Sequence, residues 1–367
     1  MNRIAVLFIA VFALVSVASA EWKEKVLYSF QGIPDGAYPA GGVVFDQAGN
    51  LYGATTYGGA KDCISITQCG TVYQLTPPAK QGDPWKETVL HIFRFVGNQN
   101  DGDGPVGGVT LDTSGNLYGT TAYGGTGNCQ LFGSRVGCGT VYEVTPPKKK
   151  GGKWTEKVLY SFQGGTDGYF PWDDLTWDSA GNLYGATQFG GGYGSCDAPY
   201  YQYCGTIFEI SPPTVKGGNW KEQVLYAFKS GKDGAAPNGG LVFDSKGALY
   251  GTTYYGGDTA DNCNGGNAFV GCGTVFELKP ATANGRTWTE KILLHFKTDA
   301  SMGGNPAAGV VFGENGDLYG TTSWGGQGFL PSGTVFRLRP INRGRTWSET
   351  LLYNFAADLE ETRLWRA

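Results

Sequence analysis

Charged residues and histidine are scarce in this sequence. Only 16% of the 367 residues are charged, with 28 basic and 32 acidic side chains, and there are two histidines. A long coiled coil would be charge-rich, so that class is excluded. The formal net charge is -4 and no long basic block occurs, which leaves no electrostatic footprint for DNA or RNA. We therefore expect no nucleic-acid partner.

Long apolar runs are missing as well, apart from one at the N-terminus. Arg3 precedes the run Ile4–Val17, which ends in Ala18-Ser19-Ala20. A charged start, an apolar centre and small residues before the cut are typical of a cleavable secretion signal. An uncleaved anchor is the alternative, but the run is shorter than the ~20 residues that span a bilayer. We expect a signal peptide at residues 1–20 and an extracellular or periplasmic mature chain without a membrane span.

Glycine is what the sequence has in excess. There are 61 glycines, and aromatic residues make up 14% of the chain. A hydrophobic content of 41% can build a core, so disorder is excluded, and glycine does not recur at every third position as in collagen. Abundant glycine together with aromatics indicates many turns and strands.

Three motifs recur in step along the chain. The first, Gly-Asn-Leu-Tyr-Gly and its variants, begins at Gly49, Gly115, Gly181, Gly247 and Gly316, at spacings of 66, 66, 66 and 69 residues. The second, Cys-Gly-Thr before apolar residues, begins at Cys69, Cys138, Cys204 and Cys272, with Ser332 in the fifth copy. The third, a tryptophan and an apolar strand ending in phenylalanine, spans 22–30, 85–93, 154–162, 220–228, 288–296 and 347–355. Five full units and one additional strand are present.

Each unit reads as two hairpins, that is, four short strands. In unit one, residues 42–46 and 51–56 flank a turn cluster, and two further strands follow at 70–76 and 85–93. No stretch shows sustained helical periodicity. Four strands repeated five times predict an all-β fold, a β-propeller of five four-stranded blades in a single domain at 21–355, with a divergent tail at 356–367. The alternatives are a solenoid or sandwich array, and an incomplete or open six-bladed propeller in which residues 22–30 do not close the ring beside residues 347–355.

The repeated strings resemble a known family. Gly-Gly-Val-Val-Phe-Asp-x-x-Gly-Asn-Leu-Tyr-Gly-Ala-Thr-Thr-Tyr-Gly-Gly, then Gly-Thr-Val-Tyr, then Trp-x-x-x-Val-Leu-Tyr-Ser-Phe, are similar to the GloVer (Gloeobacter/Verrucomicrobia) tandem repeat of exported bacterial proteins. The resemblance covers residues 22–355. It implies a secreted or surface-anchored repeat protein with no established activity, and it supplies no catalytic residues.

The eight cysteines fall into pairs, one in each of the first four units. The pairs are Cys63/Cys69, Cys129/Cys138, Cys196/Cys204 and Cys263/Cys272, each in the loop between the second and third strands. The fifth unit has a short loop there and lacks both cysteines. Their joint absence predicts four disulfides, which suit an oxidising compartment. A metal site is the alternative, but the spacings vary and no histidine lies nearby.

The loops sort onto two faces of a propeller. The disulfide loops share one face with Asp35-Gly36, Asp101–Gly104, Asp167-Gly168 and Asp233-Gly234, and lysines and arginines dominate the other. Binding is usually carried by variable loops on a rigid scaffold, so the acidic face is the candidate binding face. The alternative is that each Asp-Gly pair is only a turn.

Unit three departs from the repeat near the predicted axis. Units one, two and four have Gly-Gly where unit three has Trp172-Asp173-Asp174. The neighbouring aromatic residues of unit three are Tyr169, Phe170, Tyr193, Tyr200, Tyr201 and Tyr203. Aromatic faces beside carboxylates are suited to sugars, and two carboxylates can also perform acid/base chemistry or hold Ca²⁺. Adjacent residues of one strand point to opposite sides, so Asp173 and Asp174 need not converge.

Two other sets of residues have ambiguous roles. One aromatic precedes the Gly-Gly of each unit, and it either forms a ligand platform or packs between blades: Tyr57, Tyr123, Phe189, Tyr255 and Trp324. The two histidines, His91 and His295, replace apolar or small residues of the outer strand and cannot make a zinc site. Catalysis would then rest on carboxylates or tyrosines, and no cofactor is expected beyond the weak case for Ca²⁺.

Three functions fit these observations. The favoured one is a secreted binding or surface-interaction module for a polysaccharide or cell-surface glycan, centred on unit three. The second is a carbohydrate-active enzyme, a glycoside hydrolase or lyase, that uses Asp173 or Asp174 with a second carboxylate such as Asp167. The third is a structural envelope protein without a ligand.

Overall fold

A computed structural model gives the fold of most of the chain. It describes residues 25–61, 69–94, 101–131, 133–192, 204–258, 271–281, 287–297, 303–325 and 331–356. The predicted signal peptide and the tail from residue 357 onwards lie outside these ranges. No helix in the described part of the chain has the length and apolar character needed to span a bilayer.

The described residues form five main antiparallel sheets, one per repeat, so the predicted five-bladed propeller is confirmed. Unit one contains Ala37–Phe45 (β1), Leu51–Tyr57 (β2), Thr71–Thr76 (β3) and Lys86–Ile92 (β4), paired in that order. Unit two contains Gly102–Asp103 (β5), Thr110–Leu111 (β6), Leu117–Thr121 (β7), Tyr123–Gly124 (β8), Gln130–Leu131 (β9), Ser134–Arg135 (β10), Thr140–Thr145 (β11) and Thr155–Ser161 (β12). Its main sheet has the order β6-β7-β11-β12, with β5-β8 and β9-β10 as short ribbons.

Units three and four have the same plan with a divided inner strand. Unit three contains Tyr169–Pro171 (β13), Thr176–Trp177 (β14), Leu183–Phe189 (β15), Thr206–Ser211 (β16) and Lys221–Ala227 (β17). Unit four contains Ala235–Pro237 (β18), Val242–Phe243 (β19), Leu249–Tyr255 (β20), Thr274–Lys279 (β21) and Thr289–His295 (β22). Unit five contains Val311–Phe312 (β23), Leu318–Thr322 (β24), Pro331–Ile341 (β25) and Thr346–Ala356 (β26). Short 3-10 helices lie at Gly165–Asp167, Gly231–Asp233, Glu314–Gly316 and Asn342–Gly344.

The tight turn of the first hairpin is built by a local sequence that recurs. In unit one, Asp46 Oδ1 accepts hydrogen bonds from the N–H groups of Ala48 and Asn50, both at 2.9 Å. Gly49 adopts a φ of 82°, which favours glycine. Asp112, Asp178 and Asp244 accept the same pair of N–H bonds in the next three units. The Asp-x-x-Gly string therefore dictates this turn locally.

Packing between blades uses the phenylalanine that ends each outer strand. Its ring contacts an aromatic ring of the third strand in the next unit, in the pairs Phe93–Tyr142, Phe162–Phe208, Phe228–Phe276 and Phe296–Phe336, with centroids 4.8 to 5.3 Å apart. These four outer-strand phenylalanines are at most 1% exposed. Full burial of such a side chain contributes about 1.5 to 3 kcal/mol.

The additional N-terminal copy of the outer strand takes the corresponding place on unit one. Phe30 packs against Tyr73 with ring centroids 4.8 Å apart, although residues 25–31 belong to no sheet. The last outer strand, β26, pairs with β25 alone among the described strands. Pairing of residues 22–30 beside residues 347–355, one of the two alternatives for closing the ring, is therefore not observed in the described residues.

The predicted disulfides are confirmed where both cysteines are described. Cys129 and Cys138 of unit two are bonded, with Cα atoms 5.0 Å apart. Cys69, Cys204 and Cys272 also take part in disulfides. Cys63, Cys196 and Cys263 lie outside the described residues, so those three pairings stay predictions.

Candidate functional site

Glycine residues bring the inner ends of neighbouring units into close contact at the axis. A Cβ atom added to Gly41 would lie 1.9 Å from the backbone nitrogen of Gly108, and one added to Gly239 would lie 1.9 Å from that of Gly309. Backbone atoms of neighbouring units thus approach more closely than any side chain permits. This packing explains the glycines at Gly41, Gly107, Gly108 and Gly239.

Asp173 and Asp174 stand in this ring where the other units have small residues. Neither lies in a strand, because β13 ends at Pro171 and β14 begins at Thr176. Asp174 Oδ1 accepts a hydrogen bond from the N–H of Gly108 in unit two. Asp173 Oδ1 accepts one from the N–H of Gly239 in unit four. The two carboxyl groups therefore turn towards opposite neighbours and bind unit three to both.

Asp173 is a buried carboxyl group with one unused oxygen. Its side chain is buried, with 4% of the residue exposed, and Oδ2 has no hydrogen-bond partner. Desolvation raises the pKa of Asp173 to about 8; the Gly239 N–H opposes the shift and the nearby Asp174 adds to it. This shift favours the protonated carboxyl group at neutral pH, and that form has an O–H group to donate.

A cavity of 540 Å³ lies at the axis beside these two residues. All five units line it, mostly with glycine, alanine and apolar residues, and unit three contributes Trp172, Asp173 and Asp174. This volume lies within the roughly 300 to 1,000 Å³ of small-ligand sites. The carboxyl groups are the acidic side chains of an otherwise uncharged lining.

A second cavity, of 410 Å³, is lined mainly by aromatic residues. Trp172 and Asn238 line both cavities. The remaining lining residues of the second cavity are Tyr123, Leu131, Phe170, Gln188, Phe189, Ala236, Tyr254 and Tyr255. Apolar ring faces are thus placed next to the axial carboxyl groups, as the sequence of unit three predicts.

The aromatic residues of units two and three form a connected cluster. Tyr169 stacks on Phe189 with ring centroids 5.2 Å apart, and Phe170 contacts Phe189 at 5.3 Å. Tyr123 of unit two meets Phe170 of unit three at 5.1 Å. The repeated aromatic therefore packs between these blades and also lines the second cavity. Tyr193, Tyr200, Tyr201 and Tyr203 lie outside the described residues.

The aspartates of the predicted acidic face have structural partners. Asp35, Asp167 and Asp233 accept hydrogen bonds from the hydroxyl groups of Tyr28, Tyr160 and Tyr226, at 2.7, 3.1 and 2.5 Å. Each aspartate also accepts a hydrogen bond from the backbone N–H of the residue four positions earlier in the chain. Among the described residues, Asp167 lines neither cavity. These contacts favour the alternative in which the Asp-Gly pairs of this face are turns.

Two polar lining residues were not singled out from the sequence. Asn238 follows Pro237 as Trp172 follows Pro171, and units one, two and five have Ala40, Val106 and Ala307 there. The sequence signal for Asn238 was a polar side chain at a position that is apolar in those three units. Gln188 lies beside the repeated aromatic Phe189 and carries no comparable signal, because its role depends on the neighbouring blade.

Comparison with known proteins identifies one family and several solved structures of low similarity to this chain. The family model of the Gloeobacter/Verrucomicrobia repeat matches residues 87–269 and 130–363. No curated protein matches the sequence. Among solved structures, a Hadza microbial sialidase has a TM-score of 0.46 at 14% identity, over 86% of this chain and 58% of the sialidase chain.

Two further structures are similar over most of this chain. An exo-1,5-alpha-L-arabinanase from a bovine ruminal metagenomic library has a TM-score of 0.37 at 11% identity, covering 89% of this chain and 100% of its own. A leech intramolecular trans-sialidase has a TM-score of 0.32 at 13% identity, covering 91% of this chain and 54% of its own. We infer nothing about function from similarities of this degree.

Proposed function

The chain belongs to the Gloeobacter/Verrucomicrobia repeat family, and we propose that it is a secreted binding module for a glycan. The ligand occupies the axial cavity next to Asp173 and Asp174, with Trp172 as the wall shared with the aromatic cavity. Asp173 carries the proposal, because the residue lines a ligand-sized cavity and its Oδ2 is a buried oxygen without a hydrogen-bond partner. A buried polar atom of this kind costs free energy unless a ligand or water satisfies it.

The chemistry of the lining suits a sugar. The protonated carboxyl group of Asp173 can donate a hydrogen bond to a hydroxyl or ring oxygen, and the side chain of Asn238 can donate or accept. Trp172 and the neighbouring tyrosines offer apolar faces for the C–H surface of a sugar ring. The small residues of the other units leave the space that such a ring fills.

The same geometry favours binding over hydrolysis. Glycoside hydrolases use two carboxyl groups that face one bond from about 5 to 9.5 Å apart. Here Asp173 and Asp174 are hydrogen-bonded to opposite neighbours, and Asp167 is engaged by Tyr160. The three carboxyl groups of the enzyme alternative therefore have separate structural partners.

Secretion is supported by two independent features. The Cys129–Cys138 disulfide is typical of an oxidising compartment. Residues 1–20 have the pattern of a cleavable signal peptide.

Retention on a polysaccharide panel tests the proposal. The wild type is expected to be retained on one or more members without releasing reducing ends, and Trp172→Ala is expected to weaken retention by at least about tenfold, or 1.4 kcal/mol. Asp83→Asn, in an exposed loop, is the matched control and should behave as the wild type. Release of sugar that is lost in Asp174→Asn would favour the enzyme, and no retention would favour a structural protein.

The pH dependence of retention tests the role of Asp173 itself. Its O–H donor is present below a pKa of about 8 and is lost above it, so wild-type affinity should fall between pH 7 and pH 9. Asp173→Asn keeps a neutral donor and should bind with little pH dependence, whereas Asp173→Ala should bind weakly at every pH. A wild-type affinity that is constant between pH 6 and pH 9 would contradict the donor role.

A further inference from the structure

A trio of side chains recurs where one outer strand meets the next unit. We call this contact a junction and name it by its two units. At the junction of units two and three, Tyr160 donates to Asp167 at 3.1 Å. Desolvation and then the nearby Asp167 raise the pKa of Glu222, on the next outer strand, to about 7. The same tyrosine, aspartate and glutamate occur as Tyr28, Asp35, Glu87 and as Tyr226, Asp233, Glu290.

The junction of units one and two has histidine in place of the tyrosine. His91 Nε2 lies 3.5 Å from Asp101 Oδ2, and Glu156 of the next outer strand completes the trio. One ligand atom from each of the three residues lies within 4.8 Å of the other two. His91 Nε2, Asp101 Oδ1 and Glu156 Oε1 are all buried and have no hydrogen-bond partner. Histidine in place of tyrosine puts a ring nitrogen, His91 Nε2, beside the two carboxyl groups instead of a hydroxyl group.

We propose that this junction binds one divalent transition-metal ion of the zinc type through His91, Asp101 and Glu156. Imidazole nitrogen and carboxylate oxygen are common ligands of Zn²⁺, at about 2.0 to 2.2 Å. Ligand atoms around a tetrahedral ion at these bond lengths are about 3.3 to 3.6 Å apart, so atoms within 4.8 Å of one another must approach by at most about 1.5 Å. The charges of two carboxylates are neutralised by one dication.

The surroundings of the trio support cation binding. The N–H of Arg94 donates to Asp101 Oδ2 at 3.0 Å and orients that carboxyl group. A cation bound by the trio would satisfy the unpartnered oxygens of Asp101 and Glu156. The bound ion would link the loop after unit one to the outer strand of unit two. The sequence predicts no zinc site at the two histidines, and the proposed site departs from that prediction by combining one histidine with two carboxyl groups.

Metal titration of the full chain tests the proposal. The protein, purified without a polyhistidine tag and stripped with a chelator, is titrated with ZnCl₂ in a calorimeter. One ion per chain is expected, together with a higher midpoint of thermal unfolding. Co²⁺ serves as a spectroscopic probe, and its visible absorption should have the intensity of a four- or five-coordinate ion. MgCl₂ at the same concentrations should produce no comparable heat.

Two reciprocal substitutions decide whether the trio is the site. His91→Tyr restores the residue of the other junctions and should abolish binding while preserving the fold. Tyr160→His creates the same trio with Asp167 and Glu222, and should raise the stoichiometry from one ion to two. Glu156→Gln, a nearly isosteric change, should weaken binding by more than about tenfold. Absence of binding in the wild type, or unchanged binding in His91→Tyr or Glu156→Gln, would overturn the proposal, as would Tyr160→His staying at one ion.

Discussion

Phe296 and Phe355 end the outer strands of units four and five, yet the first is 1% exposed and the second is 43% exposed. Phe296 packs against Phe336 of the following unit. Phe355 contacts Tyr353 of its own strand, and Tyr353 is itself 58% exposed. The motif is the same in both units, so the burial of this phenylalanine is decided by the neighbouring blade and not by the motif.

Unit five also lacks two local features of the first four units. Its second-to-third loop has no cysteine pair, and Gly313 stands where the other units have the turn aspartate. A 3-10 turn at Glu314–Gly316 replaces the turn in which the aspartate side chain accepts backbone N–H bonds, and Asp317 pairs with Arg339 at 3.0 Å. Comparison of the first four units with the fifth therefore separates the contributions of these features to stability. Four predictions test those contributions.

The largest expected difference concerns the outer-strand phenylalanine. Phe162→Ala removes a fully buried ring that contacts Phe208 and should lower the free energy of unfolding by about 3 to 5 kcal/mol. Phe355→Ala removes a ring that is 43% exposed and should cost less than about 1 kcal/mol. Urea unfolding, monitored by tryptophan fluorescence, measures the loss in both variants. Equal losses in the two variants would mean that the ring of Phe355 is buried against another surface in solution.

Sequence patterns predict the units and their strands well, because turns such as Asp46 to Asn50 are encoded locally. The pairing of Cys129 with Cys138 follows from the joint absence of cysteines in unit five. The divergence of Asp173 from Asp174 was foreseen only as an open alternative, since it depends on N–H groups of two other units. The trio at His91 was missed, because residues far apart in sequence meet there only through the stacking of blades.

The second difference concerns the disulfide loop. Cys129→Ser with Cys138→Ser removes the disulfide of unit two and should lower the free energy of unfolding by about 2 to 3 kcal/mol. This is the loss expected when a bond that closes a loop of about ten residues no longer constrains the unfolded chain. Unit five has no disulfide. Reduction should therefore change the unfolding of unit five, followed at Trp347, less than it changes the unfolding of the whole protein. A double variant as stable as the wild type would show that this loop is held by its other contacts.

The third difference concerns the first hairpin turn. Asp178→Ala removes the acceptor of the N–H groups of Ala180 and Asn182, at 2.8 and 2.9 Å, and should cost about 1 to 2 kcal/mol. Glu314→Ala in the corresponding turn of unit five changes an exposed side chain and should stay within about 0.5 kcal/mol. Thermal unfolding of the two variants beside the wild type gives the comparison. A loss of the same size in both would contradict the role assigned to the turn aspartate.

The smallest expected difference is in the pH dependence of stability at the junctions. Desolvation and Asp167 raise the pKa of Glu222 to about 7 in the folded protein, whereas an unfolded glutamate titrates near 4.3. Between these two pH values the folded state holds the extra proton, so its contribution to stability is complete below about pH 4 and is lost as the pH rises through 7. Because Glu222 is partly exposed, solvent screening keeps the effect of this single group below about 1 kcal/mol. Glu222→Gln should therefore reduce the fall in the unfolding midpoint between pH 5 and pH 9, while Glu314→Gln in unit five leaves it unchanged. If both variants keep the full wild-type slope, the junction glutamate is not the group whose ionisation opposes the packing of the blades.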